Sequence, residues 1–173
     1  RSTEKEGSAF TFPGYGLGAY VQDTGAGART FPLRCFFWGE DYDEAVIQYK
    51  KALKIKHDFL DAHYVLAICY SKLGMVEDEI WQYKMILAIK PNMLSALVNL
   101  GNAYFGQDEY TVAIKHYKKA VFLGPLEPMV YYNLAAAYSN NEDYEQAVTA
   151  YLKAVEIDPA IGDAHYGLAF GFY

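Results

Sequence analysis

A period of 34 residues governs this chain. Sliding the sequence against itself by that interval aligns Tyr49, Tyr83, Tyr117 and Tyr151 in one column, and Leu66, Leu100, Leu134 and Leu168 in another. Parallel columns hold Tyr70, Tyr104, Tyr138 and Phe172; Ala67, Gly101, Ala135 and Ala169; and Ile55, Ile89, Leu123 and Ile157. A further one holds Pro91, Pro125 and Pro159, with His57 at the place of its first member. Each column keeps its chemical type as well as its spacing, so the chain is built from one structural unit stacked on copies of itself.

Helical spacing inside the period identifies the unit. Leu97, Leu100, Gly101 and Tyr104 fall at i, i+3, i+4 and i+7, and Tyr110, Ala113, Ile114, Tyr117, Ala120 and Val121 form a second stripe of the same kind. The polar run Gly106-Gln107-Asp108-Glu109 separates the two, and Gly124-Pro125 ends the second. This predicts a hairpin of two antiparallel helices. Small residues at 67, 101 and 135 face Ala113 and Ala147 and permit close approach, while the tyrosines fill wider gaps between hairpins. One apolar face of each hairpin stays uncovered, so stability requires stacking, and the predicted fold is an all-α solenoid.

The segment Leu94 to Glu127, LSALVNLGNAYFGQDEYTVAIKHYKKAVFLGPLE, carries Leu-Gly-x-x-Tyr in its first helix, two Tyr-x-x-Ala steps in its second, and a final Pro; residues 128–161 follow with LAAAY, YEQA, YLKA and DP. In these features the chain resembles the tetratricopeptide repeat family over about residues 36–173. The resemblance implies a superhelical α-solenoid with a partial repeat at 36–59, repeats at 60–93, 94–127 and 128–161, and a partial repeat at 162–173. Residues 1–35 stand before it as an irregular arm rich in glycine and aromatic residues.

The resemblance further implies a non-catalytic scaffold whose first helices line a concave groove for a peptide or protein partner. The groove positions fall on Tyr64, Val65, Ile68 and Lys72; on Val98, Asn99, Asn102 and Phe105; and on Tyr132, Asn133, Ala136 and Asn140. This lining is aromatic, amide-rich and nearly uncharged. Asn99 and Asn133 lie one period apart, and a carboxamide can pair with both the N–H and the C=O of a peptide backbone. A similar asparagine ladder lines the superhelix of O-linked N-acetylglucosamine transferases, although Val65 and Gly167 interrupt it here. The carboxylate clamp of chaperone adaptors has no counterpart: Lys72 is the one groove cation, and Tyr64, Val98, Met129 and Asn133 stand where charged partners are sought. The expected ligand is an extended, neutral or aromatic segment, and an assembly role in a larger complex follows from such a scaffold.

Departures from the pattern carry their own expectations. Glu79 stands where the contact between two helices normally takes Ala, and Ile86 where the next Ala is expected. An unpaired carboxylate there is costly, so Glu79 is expected to lead out to water. The helix at 41–56 needs a partner over 26–39, which contains Gly27 and Pro32, and the segment 162–173 supplies a first helix without its second. Two explanations compete. One is a fragment or processed chain, in keeping with a start at Arg1. The other is a structural subunit that self-assembles head-to-tail into a filament or ring, with Tyr42, Tyr49 and Leu53 of one molecule meeting His165, Leu168 and Phe172 of the next. Four lysines between Lys50 and Lys56 oppose a stretch from Gly124 to Tyr173 that holds Lys153 against seven carboxylates, a polarity that favours such packing.

Other function classes find little support. Fifteen basic and 21 acidic residues leave a net charge of −6, which offers no electrostatic grip on nucleic acid. No apolar stretch is long enough to span a bilayer. His57, His63, His116 and His165 have no metal-binding spacing, and no nucleophile elbow, Walker loop or H-E-x-x-H occurs, so neither enzyme, metal nor cofactor is expected. Gly14-Tyr15-Gly16-Leu17-Gly18-Ala19 fits a dinucleotide-phosphate pattern in letters but has Pro13 where the required strand should end. Cys35 and Cys69 read as small buried residues rather than a disulfide. The expected chain is soluble, with the cytoplasm slightly favoured and a processed or exported chain as the alternative.

Overall fold

The computed structural model describes residues 42–171. They form eight helices: α1 (Tyr42–Ile55), α2 (Leu60–Lys72), α3 (Val76–Ile89), α4 (Leu94–Phe105), α5 (Tyr110–Leu123), α6 (Pro128–Asn140), α7 (Tyr144–Ile157) and α8 (Gly162–Gly171). No strand occurs among the described residues. The expected arm over 1–35, the Gly14–Ala19 run, the segment 26–39, Cys35 and Phe172 lie outside them.

Helices α2 and α3, α4 and α5, and α6 and α7 pair as hairpins; α1 packs on α2, α3 on α4, α5 on α6 and α7 on α8. The first helices also approach one another directly, α4 with α6 and α6 with α8. That extra contact places the first helices on the inner side of the stack, which is the all-α solenoid that the period predicts.

The core is the set of repeat columns. Leu66, Leu100, Leu134 and Leu168 are all buried, as are Tyr83, Tyr117 and Tyr151. Ala113 and Ala147 on second helices and Ala67 and Ala135 on first helices are buried at the crossings, where a larger side chain would hold the backbones apart. Each fully buried Leu contributes about 1.5–3 kcal/mol relative to exposure. Those gains exist only while the neighbouring hairpin is present.

One backbone device recurs in every hairpin. Gly74, Asp108 and Glu142, spaced by one period, adopt the left-handed conformation with φ of 70°, 61° and 64°. The next residue then donates its N–H back five positions: Met75 to Tyr70 O at 2.9 Å, Glu109 to Tyr104 O at 3.0 Å, and Asp143 to Tyr138 O at 2.9 Å. These are Schellman closures, which satisfy the orphan carbonyls at a helix end and aim the chain into the following helix. Pro91, Pro125 and Pro159 sit just past α3, α5 and α7 and prevent their continuation.

Glu79 is more enclosed than a surface acid. Its side chain is largely enclosed at the α2/α3 contact, 8% exposed. The Ser71 hydroxyl donates a hydrogen bond to it, and burial raises its pKa against the smaller opposing effect of that bond.

Candidate functional site

All twelve groove positions lie on first helices: Tyr64, Val65, Ile68 and Lys72 on α2; Val98, Asn99, Asn102 and Phe105 on α4; Tyr132, Asn133, Ala136 and Asn140 on α6. Every one is half-buried or exposed, while the leucines and alanines between them are buried. This division follows from the helical period, because the residues that turn away from the second helices are left on the inner face.

Hydrogen bonds join the inner face across repeats. Asn99 donates through Nδ2 to Tyr64 Oη at 3.0 Å, linking α4 to α2. Asn133 Nδ2 donates to Asn102 Oδ1 at 3.2 Å, linking α6 to α4. The same oxygen accepts from Tyr117 Oη at 2.6 Å. Burial drives the Tyr117 phenol well above its ordinary pKa, so it remains a donor at any physiological pH. With two donors on its oxygen, the Asn102 carboxamide has a fixed orientation. Each bond uses one N–H of Asn99 or Asn133, and a carboxamide has two plus an acceptor.

The groove aromatics are held by core rings. Tyr64 meets Tyr83 edge-on with centroids 6.1 Å apart, and Tyr132 meets Tyr151 at 5.9 Å. These are the same contact two periods apart. Phe105 meets Tyr110 edge-on at 5.4 Å. Such ring pairs add about 0.5–1.5 kcal/mol beyond their area and keep the groove rings from collapsing onto one another. Asn140 is turned back onto its own helix, donating to Ala136 O at 2.8 Å. Lys72, exposed in the last turn of α2, is the one charged member of the set.

The residues singled out for self-association are differently placed. Tyr42, Tyr49 and Leu53 are half-buried and pack on the cluster of Ala45, Val46, Leu66, Cys69 and Tyr70 between α1 and α2. Burial, then Cys69 and Asp61, push the Tyr49 phenol up to about 12. Leu168 is buried in the core of α6, α7 and α8. His165 is exposed and bonds Pro159 O through Nε2 at 3.0 Å.

His63 makes the equivalent bond, Nε2 to His57 O at 3.0 Å, three periods earlier. A carbonyl only accepts, so Nε2 carries the proton, and Nδ1 then faces the Gln82 carboxamide at 2.7 Å. These imidazoles therefore tie the turn before a first helix to that helix. Cys69 is a free, buried thiol, raised to about 11 by burial, far from the thiolate needed for chemistry. Among the described residues no group of His, Cys, Asp and Glu could hold a metal, and no helix is long and apolar enough to cross a membrane.

Sequence reasoning singled out the asparagines but not the Tyr117 hydroxyl that orients Asn102. The column of Tyr49, Tyr83, Tyr117 and Tyr151 reads as packing, and a phenylalanine would serve packing equally well. Retention of Tyr there was the available signal.

The tetratricopeptide repeat family model matches residues 128–160, and a second model described as TPR repeat matches 36–74 and 101–142. A comparison with curated proteins gave no match. Among solved structures, the crystal structure of MamA is 27% identical with a TM-score of 0.73, over 76% of this chain and 77% of that one. MamA 41-end from Desulfovibrio magneticus RS-1 is 25% identical with a TM-score of 0.71, over 75% and 73% of the two chains. YrrB, described as a TPR protein with an unusual peptide-binding site, is 18% identical with a TM-score of 0.69, over 76% and 68%, a likeness of fold alone.

Proposed function

From the premise that this chain belongs to the tetratricopeptide repeat family, whose repeats serve as protein-interaction scaffolds, we propose that its inner face binds an extended, largely uncharged segment of a protein partner. The observation that carries this reading is the amide network itself: Asn99 and Asn133 are held in place from neighbouring repeats yet keep unused hydrogen-bonding capacity. A strand laid along α2, α4 and α6 meets donors and acceptors one period apart, independent of its side chains. Tyr64, held edge-on by Tyr83, and Tyr132, held by the tilted ring of Tyr151, supply apolar walls for its aromatic or aliphatic residues. Lys72 alone contributes charge, so affinity depends weakly on salt.

Peptide-display selection on the wild-type protein supplies the test. Selected peptides should be poor in charge, and the double variant Asn99→Ala, Asn133→Ala should bind them about tenfold or more weakly with unchanged helix content. Equal affinity for that variant overturns the reading.

A further inference from the structure

Away from the inner face, three junctions repeat one arrangement, each formed by a second helix, the next first helix and the next second helix. Each centres on a tyrosine, Tyr70, Tyr104 or Tyr138, and on a lysine one period from the next, Lys50, Lys84 or Lys118. In the first junction Lys50 Nζ lies 5.5 Å from the centre of the Tyr70 ring, and Gln82, one period before His116, is buried and bonded to His63. In the second, Lys84 Nζ is 5.5 Å from the Tyr104 ring centre, and the His116 imidazole stacks on that ring at 5.6 Å, parallel within 1°. The corresponding position in the third junction, one period after His116, is Ala150.

The third junction is consequently hollow. A space of about 330 Å³ opens among α5, α6 and α7, lined by Tyr131, Tyr138 and Ala150, with Lys118, Phe122 and Lys153 among its other lining residues. That volume lies at the low end for ligand pockets. Among the described residues no ring stacks on Tyr138. Phe122 is 84% exposed. The lining contains two lysines and no carboxylate, in a part of the chain otherwise rich in acids.

We propose that this hollow receives a planar aromatic side chain from an acidic linear segment of a protein partner, with its ring stacked on Tyr138 as His116 stacks on Tyr104. The second junction serves as an internal template: the fold already accepts a ring at this position, and replacing His116 by Ala150 removes the ring while retaining the tyrosine and the lysine. Burial, followed by Lys115, Lys84 and Lys119, lowers the His116 pKa, so the template occupant is a neutral ring among cations. A neutral ring flanked by carboxylates matches the third junction, where Lys118 and Lys153 remain for the acids to meet. Lys153 already pairs with Glu156 at the surface, so Lys118 is the stronger point of contact. This surface lies between α5 and α7 and involves none of the inner-face asparagines.

A fluorescent peptide of glutamates and glycines around one central tryptophan is the probe, read by polarisation and by amide chemical shifts of the full chain. It should bind with shifts confined to α5, α6 and α7. Ala150→His fills the hollow from within and should weaken binding at least tenfold, as should Lys118→Glu with Lys153→Glu, two exposed positions that leave folding intact. Replacing the peptide's tryptophan by alanine should abolish binding, whereas Asn99→Ala with Asn133→Ala should not change it. Undiminished binding to the Lys118→Glu, Lys153→Glu protein, or shifts on the inner faces of α2 and α4, overturns the proposal. Self-association of the protein that Ala150→His abolishes would overturn the choice of occupant.

Discussion

The hairpins α2/α3 and α4/α5 share a backbone plan and differ in what fills their closest contact. In α4/α5 the crossing is made of Gly101, Ala113 and Ala120, and the Tyr117 ring lies so near that a Cβ at Gly101 would stand 2.5 Å from its Cε1. In α2/α3 the same places hold Ala67, Glu79 and Ile86, all buried, with the carboxyl group bonded by Ser71. The comparison shows that the plan is set by the turn and the period, while each crossing is fitted to its own side chains. Tyr117 can press on Gly101 because Asn102 holds its hydroxyl.

Exchanging the fitted residues breaks the comparison where it is tightest. Gly101→Ala should destabilise the protein by about 1–3 kcal/mol through overpacking, despite the better helix propensity of alanine. Urea denaturation measures this, and a neutral or stabilising outcome would show that Tyr117 yields freely. Glu79→Gln should stabilise by about 1 kcal/mol at neutral pH, because it removes a buried charge and keeps the bond to Ser71. The sign follows from linkage: a carboxyl whose folded pKa is raised contributes full stability below its ordinary value of 4.5 and loses it as pH rises through the raised value. The advantage of Gln should therefore shrink as pH falls through that window, and urea midpoints collected against pH check it. The smallest effect is expected in the turns. Gly74→Asp should cost only about 0.5 kcal/mol, since Asp108 already occupies the left-handed conformation at the equivalent place and short polar residues tolerate it. A large drop in melting temperature would mean that the two turns are not interchangeable.

The fold could be read before any coordinates because the columns fix both helix faces and their stacking partners. Leu66, Leu100, Leu134 and Leu168 point to one core line, and the structure buries all four. Details that depend on the rotation between neighbouring helices were less legible. Asn99 and Asn133 lie one period apart on first helices, but their partners, Tyr64 and Asn102, sit 35 and 31 residues away, on either side of the period. The enclosure of Glu79 and the Ser71 hydroxyl facing it from the opposite helix depend on that rotation too, and a rule that considers the acid alone does not show them. The hollow beside Tyr138 is written in the succession Gln82, His116, Ala150, yet a missing ring gives no signal until its counterpart one repeat earlier is seen stacked on Tyr104.

The hydrogen bonds from Asn99 to Tyr64 and from Asn133 to Asn102 also have a mechanical meaning. They act as stitches along the inner edge of a coiled spring, tying successive turns on the side where stretching would first separate them. A segment that uses the second N–H of each carboxamide, as proposed above, would leave the stitches in place and brace the coil against lengthening, so that stretching the solenoid and loosening its grip would be linked.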